Sequence, residues 1–239
     1  MSCALTTWFL LFKMASTKDS ITKERARYIV LEGLEGVGKT TQCKMLVECL
    51  REMGFSVLET KEPGTSHLPI TMTLRSLMLD FQYDSQLTPE AREYISQAIR
   101  SIHLQKLIKP ARDKYDFIIQ DRGLLSGIAY GNSCGISFSN LQNLTNMTVR
   151  GHEKLYDTVI FLKGDIETGL SRARSSKKEF ENGDAMENRG LEFLQKMEEA
   201  MEDNLNVFGD SVVIQVDHLT KEEVLNRILK SLQLDSLIH

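Results

Sequence analysis

The 239-residue sequence predicts an α/β fold: a five-stranded parallel sheet flanked by helices on both faces. Three observations predict it. Five short runs are rich in β-branched residues and nearly continuous in apolar character, as strands buried on both faces of a parallel sheet are. Stretches of helical periodicity separate those runs. The first run also ends in a glycine-rich loop that opens a helix, and ligands of open α/β sheets bind at that edge.

The elements follow in order. Tyr28-Ile29-Val30-Leu31 is the first strand, and GLEGVGKTT leads from it into the helix TQCKMLVECLREMG. Ser56-Val57-Leu58 is the second strand, closed by the turn Thr60-Lys61-Glu62-Pro63-Gly64-Thr65. The segment from Thr71 to Lys114 is expected to hold two or three helices, among them Leu74 to Leu79 and Ala91 to Leu107. Phe117-Ile118-Ile119 is the third strand and runs into Asp121-Arg122-Gly123. Thr158 to Leu162 and Val212 to Val216 are the fourth and fifth. In the last helix Val224, Leu225, Ile228, Leu229 and Leu232 recur at helical spacing, and Thr220 with Glu223 has the pattern of a capping box.

Composition narrows the function classes. With 41% hydrophobic and 26% charged residues, the chain has the make-up of one globular domain. A formal net charge of −4 argues against general nucleic-acid binding, so no nucleic-acid partner is expected. Cys3, Cys43, Cys49 and Cys134 form no CxxC pair and no cluster with histidine, which reads as reduced thiols without a metal. Residues 1–26 are read as an N-terminal extension, poorly ordered, and 27–239 as a single domain. The apolar stretch Ala4 to Phe12 lacks a basic flank and is too short to span a bilayer. With Met14 just beyond, it reads as a dispensable extension upstream of a second start in preference to a targeting signal, and no membrane partner is expected.

GLEGVGKTT (Gly33, Leu34, Glu35, Gly36, Val37, Gly38, Lys39, Thr40, Thr41) matches G-x-x-x-x-G-K-[ST] in a strand-to-helix context. Consecutive backbone N–H groups and a helix N-terminus make a phosphate cradle there. Lys39 would reach the outer phosphates, and Thr40 would place its hydroxyl on Mg²⁺. Three classes compete: a GTP switch, an ATPase coupled to assembly or motion, and a kinase of small molecules. No DxxG or NKxD-like segment supports the first. The second calls for an acid that polarises water where this strand ends in Asp121-Arg122; an arginine instead suits an anion. That points to an acceptor that already carries a phosphate. Glu35, inside an anion-binding loop, either receives an acceptor hydroxyl or pairs with a nearby base.

Taken together, these segments resemble the thymidylate kinase family: a P-loop with an internal acid, a TREPGGT-like turn, DRY-x-x-S-x-x-AY, and a basic lid. The counterparts here are GLEGVGKTTQ, TKEPGT, LRSLMLD, AIRSIHLQKLIKP, DRGLLSGIAYG and LSRARSSKKEFENG, in order from Tyr28 to about Leu232. The resemblance implies a P-loop kinase fold with a lid over about 172–188, ATP as donor, dTMP as acceptor, Mg²⁺, a homodimer and a cytoplasmic setting. It implies that Lys39 and Thr40 serve ATP, and that Asp121 contacts the metal through water. Arg122 and Arg75 would hold the acceptor phosphate. Glu35 would receive the sugar 3′-hydroxyl, Arg100 would bond the thymine carbonyl, and Tyr130 would favour deoxyribose. Ser126 and Gly127 would wall the base, and Lys61 and Pro63, from the turn at the carboxyl edge of the sheet, would also bind the substrate. Because Gly36 stands where some relatives carry arginine, the charge on the transferring group would come from Arg172, Arg174, Lys177 or Lys178, with Arg174 preferred.

The departures carry expectations too. Gly123 replaces the aromatic of DRY and is expected to leave space beside the acceptor phosphate. Lys61 replaces an arginine. Ser96 stands where the family has a phenylalanine stacked on thymine, so a more open pocket is expected, with Tyr94 one candidate to fill in. These departures resemble the version found in large cytoplasmic DNA viruses, which would place the protein in host cytoplasm.

Overall fold

A computed structural model of the chain describes residues 25–149, 154–175 and 189–235. The expectations for residues 1–24, and for Lys177, Lys178 and the rest of the lid to Asn188, lie outside those residues.

Five parallel strands form the sheet: β1 (Arg27–Glu32), β2 (Val57–Lys61), β3 (Phe117–Asp121), β4 (Thr158–Lys163) and β5 (Asp210–Gln215). Their spatial order is β2-β3-β1-β4-β5. β1 is central because its side chains suit burial on both faces: Tyr28, Ile29, Val30 and Leu31 are fully buried, as are Ile118 and Ile119 of β3. A fully buried side chain of this size contributes roughly 1.5–3 kcal/mol. β5 departs from the expectation of burial on both faces. It is an edge strand with Ile214 buried and Val213 half exposed.

Helix α1 (Lys39–Glu52) follows the glycine loop and buries Cys43, Leu46, Val47 and Leu50 at helical spacing. The 71–114 segment holds α2 (Pro69–Leu79) and α3 (Pro89–His103), with a π turn (Leu104–Ile108) and a last helical turn (Lys109–Ala111) extending α3. Pro89 opens α3 where no intrahelical N–H is needed, and the Thr88 side chain caps it by accepting the Ala91 N–H at 3.2 Å. Further α-helices among the described residues are α4 (Leu124–Ser133), α5 (Phe138–Val149), α6 (Ile166–Ser175), α7 (Leu191–Asp203) and α8 (Lys221–Ser231). The capping box of Thr220 and Glu223 is formed at the start of α8. Ala26 is buried, and its N–H donates to the Arg112 carbonyl at 2.8 Å. The fold therefore includes a residue assigned from sequence to the extension. Among the described residues no helix is long and apolar enough to cross a membrane.

The topology sets up the cleft. The chain leaves β1, returns at β3 beside it, then crosses to β4 on the other side. The carboxyl ends of β1 and β3 thus lie next to each other, with Leu31 opposite Asp121 in register. In an open α/β sheet this reversal is where ligands sit.

Candidate active site

The glycine loop from Gly33 to Thr41 runs from the end of β1 into α1. Lys39 is buried in it and donates from Nζ to the Leu34 carbonyl. Burial lowers its pKa to about 7, helped by the charge of Arg122 and opposed by Asp121, Glu35 and Glu32. Thr40 Oγ1 donates to Asp121 Oδ2 at 2.5 Å, which brings together the two groups expected to serve a metal. Asp121 Oδ1 is buried without a partner. A stranded carboxylate oxygen beside a hydroxyl suits a hydrated divalent cation, so the residues fit Mg²⁺. Among the described residues no cluster of three histidines, cysteines or acids forms a metal cage.

Helix α6 presses on this loop backbone to backbone. A Cβ on Gly36 would lie 1.9 Å from the Gly169 carbonyl oxygen, and one on Gly169 would lie 2.6 Å from that of Glu35. The close approach bears on the lid arginines. Arg172 follows Gly169 by three residues, about 60° round the helix; Arg174 follows by five, about 140° round. Arg174 lines a shallow cavity with Leu170 and Leu191 instead. Arg172, not the Arg174 preferred from sequence, shares the side of α6 that meets the P-loop.

Arg122 and Asp121 face different cavities at the tip of β3. Arg122 has a left-handed backbone (φ 62°), rare for a side chain of this size. Its surroundings over-determine it. Its N–H donates to the Leu31 carbonyl at 2.9 Å, its own carbonyl accepts from Gln120 Nε2 at 2.8 Å, and the Gly123 N–H donates to Glu32 Oε1 at 2.9 Å. The guanidinium reaches the Gly33 carbonyl (3.3 Å), Ser126 Oγ (3.4 Å) and Glu35 Oε1 (3.4 Å). Of the two readings of Glu35, pairing with a base is therefore realised on one oxygen. The other, Oε2, is buried and unpartnered.

Sequence reasoning missed the supports. Glu32, fully buried, accepts the N–H groups of Gly123, Leu125 and Ser126 at the start of α4. Burial raises its pKa, opposed by the Ser126 hydrogen bonds and the Arg122 charge. A lone acid closing an apolar strand, just before the glycine loop, was the available signal. Ser126, read as a wall of the base site, also donates its hydroxyl to Glu32. Gln120 is held in turn by the Tyr28 hydroxyl.

Gly123 does not leave open space. A Cβ there would lie 2.2 Å from the Tyr156 hydroxyl oxygen and 3.0 Å from its ring. Tyr156 packs edge-on to Tyr28, with ring centroids 4.9 Å apart, and its hydroxyl accepts the Leu124 N–H at 3.1 Å. An aromatic from just before β4 fills the ground that the DRY tyrosine was expected to vacate.

Arg122 borders a cavity of about 60 Å³ between α3 and α4, with Pro63, Met78, Glu93, Ser96, Arg100 and Tyr130 among its lining. It is narrower than the open pocket expected from Ser96, because charged side chains of α3 converge on it. Arg100 is buried; its Nη2 lies 2.7 Å from where a Cβ on Gly127 would be, so that glycine makes room for the guanidinium. Arg100 Nη1 is buried with no partner. Tyr130 stacks edge-on with Phe193, and burial pushes its hydroxyl up to about 12. Tyr94 is 59% exposed on the far side of α3 and does not replace the missing aromatic.

Two expected residues stand apart. Lys61 borders the cavity on the Asp121 side, with Thr40 and Thr65, rather than the one lined by Arg100. Arg75 donates from Nη1 to the Pro63 carbonyl at 2.9 Å, packed against Gly64, and is not in the pocket lining. Glu62 is fully engaged: its oxygens accept Arg100 Nε at 3.0 Å and meet His103 Nδ1 at 2.9 Å. Burial alone would raise its pKa, but Arg100 and His103 outweigh it and hold Glu62 low.

Known proteins match this arrangement along most of its length. The family model described as thymidylate kinase matches residues 31–228. Thymidylate kinase of Halothermothrix orenii is 34% identical over 177 residues, 74% of this chain and 82% of its own. That of Halalkalibacterium halodurans is 30% identical over 187 residues, 78% of this chain and 86% of its own. A crystal structure of thymidylate kinase from Ehrlichia chaffeensis superposes with TM-score 0.65 at 24% identity, covering 87% of this chain and 99% of that one. That likeness speaks for the fold, while the family match spans both strand ends and the whole cleft between them: the chain belongs to the thymidylate kinase family.

Proposed function

We propose that the protein transfers the γ-phosphoryl group of ATP to dTMP, giving ADP and dTDP. One observation carries the residue assignment: Arg122 is pinned beside the P-loop in a left-handed backbone, where it faces both Glu35 and the Arg100 pocket. An arginine held this rigidly suits a second phosphate. In this reading an oxygen of the dTMP phosphate attacks the γ-phosphorus in line as the bridging bond to ADP breaks. Arg122 holds the acceptor phosphate, and Lys39 with the loop N–H groups holds the donor. Arg172 supplies charge from α6. Glu35 Oε2, buried and unpartnered, accepts the sugar 3′-hydroxyl. Arg100 donates to the base, and Tyr130 crowds the ribose 2′ position.

Thr40 and Asp121 would hold Mg²⁺, which when bound neutralises charge between the phosphates. The assembly reading is a homodimer. Leu74, Met78 and Leu79 of α2 pack against Ile95 and Ile99 of α3, so they are core; the exposed Ile70, Leu77 and Phe81 are left to carry the interface. The setting is cytoplasmic.

A coupled ADP-release assay across the deoxynucleoside monophosphates and thymidine tests the reaction. Turnover with dTMP is expected. Turnover of thymidine alone would favour a deoxynucleoside kinase using Glu62 as base, a role that its two engaged oxygens disfavour. ADP release without any acceptor would favour an ATPase.

A further inference from the structure

The pocket that would take the acceptor base offers a carboxylate as well as a cation. Glu93 precedes Arg100 by seven residues on α3, so the two leave the helix only about 20° apart. Both line the cavity against α4. Arg100 Nη2 sits 2.7 Å from the Cβ position of Gly127, and Glu93 Oε2 sits 3.5 Å from that of Gly131. Those glycines are one helical turn apart, about 6 Å. The fork and the carboxylate therefore approach one face of α4 a single turn apart, from two residues that both line the cavity.

Glu93 is an unusual residue to find there. It is 3% exposed in a cavity that Met78 and Leu79 also line. Its Oε1 accepts from Gln97 Nε2 at 2.7 Å, and Gln97 is held by Thr145 at 3.2 Å. A carboxylate in such a place is costly unless something donates to it. Arg100, which lines the same cavity, has a buried Nη1 without a partner. Ser96, between them on the helix, has no ring to stack on a base.

We propose that Glu93 is a specificity-determining residue, its carboxylate accepting the N3–H of the acceptor pyrimidine while Arg100 donates to the adjacent carbonyl. This rests on the thymidylate reading. Thymine presents an acceptor oxygen next to an N–H, matching a guanidinium next to a carboxylate. Cytosine has a bare acceptor nitrogen at N3 and would set lone pair against lone pair. A site with a buried group of this kind rejects a ligand that leaves it unpaired. Two hydrogen bonds to the base edge thereby replace the stacking that Ser96 cannot give.

The test uses the full chain, with steady-state kinetics on dTMP, N3-methyl-dTMP and dCMP for the wild type, Glu93→Gln and Glu93→Leu. For the wild type, KM for N3-methyl-dTMP should exceed that for dTMP by about tenfold, the loss of one charge-assisted hydrogen bond. Glu93→Leu should raise KM for dTMP about tenfold, with a smaller effect on kcat, and leave N3-methyl-dTMP unchanged, so discrimination collapses. Glu93→Gln keeps an acceptor oxygen and should keep most of the discrimination. Equal weakening of both nucleotides in Glu93→Leu would reduce Glu93 to a packing role. Equal KM values in the wild type would overturn the proposal without any variant, so it stays testable even if Glu93→Leu does not fold. No dTMP turnover by the wild type would sink the thymidylate reading itself; dTMP turnover with unaltered discrimination would sink only the role of Glu93.

Discussion

Phosphate and base would be met by two differently built halves of one cleft. On the phosphate side the working groups hang from strand ends and are fixed through the main chain. Arg122 is pinned by bonds to its own N–H and carbonyl and to the next N–H, and Glu32 gathers three N–H groups at the start of α4. On the base side the groups are long side chains from the face of α3, held by other side chains: Arg100 by Glu62 of the turn after β2, Glu62 in turn by His103, and Glu93 by Gln97. Main-chain anchoring leaves little freedom and defines one chemistry. Side-chain anchoring can be altered a residue at a time. The contrast teaches that the reaction should be robust in this fold and the choice of base adjustable.

The largest effect should come from Arg122→Ala. Phosphoryl transfer should fall on the order of 10³-fold with ATP affinity largely kept; a matching loss of ATP binding by titration would move Arg122 to the donor side. Arg172→Ala should follow, lowering kcat about tenfold to a hundredfold, while Arg174→Ala stays within about threefold. The reverse order in steady-state assays would restore the sequence-based preference. Glu32→Gln keeps an oxygen for the three N–H groups but weakens it as an acceptor and turns an amide NH₂ to the Ser126 hydroxyl, which must then accept instead of donate; stability should fall by about 1–2 kcal/mol, read as a drop in melting temperature, with kcat reduced more than KM. Gly123→Ala should destabilise by about 1–3 kcal/mol through the Tyr156 hydroxyl, and Tyr156→Phe should relieve much of that in a double-mutant cycle. Additive effects would mean that the two do not meet.

The smallest effect is a proton. Lys39, near 7 in the free protein, is partly neutral at pH 7.5, and a bound triphosphate favours its charged form. ATP binding should therefore take up a proton, a fraction rising as pH goes above about 7. Calorimetric enthalpies at pH 7.5 in buffers of different ionisation heat would measure it. Equal enthalpies would show that Lys39 is already charged.

Legibility in the sequence follows the same divide. The five strands, the glycine loop and Asp121-Arg122 were readable because main-chain geometry leaves local marks: continuous β-branched runs, glycines at fixed spacing, a charged pair at a strand tip. The metal role of Asp121 came from the family resemblance, and its hydrogen bond with Thr40 emerged only in the structure. The narrowness of the base pocket was not readable, because it depends on how far Arg100 and Glu93 reach across to glycines some thirty residues on. Nor was the facing of Arg172, which needed the contact of Gly169 with the P-loop to set the rotation of α6. β5 was legible as a strand but not as an edge, since Val212 to Val216 is as apolar as a central strand and only the strand order exposes it.

Tyr156 and Gly123 have a consequence for how relatives of this protein should vary. Set against the DRY pattern that this loop resembles, the loop after β3 carries glycine in place of an aromatic ring. In space the ring's place is taken from 33 positions later in the chain, by a residue leading into β4. Descent should therefore have changed the two positions as a pair: a large side chain at one requires a small one at the other, and each single change passes through a crowded or hollow intermediate. A chimera that exchanges β4 and its lead-in with a DRY-bearing relative should fold poorly until position 123 is exchanged with it.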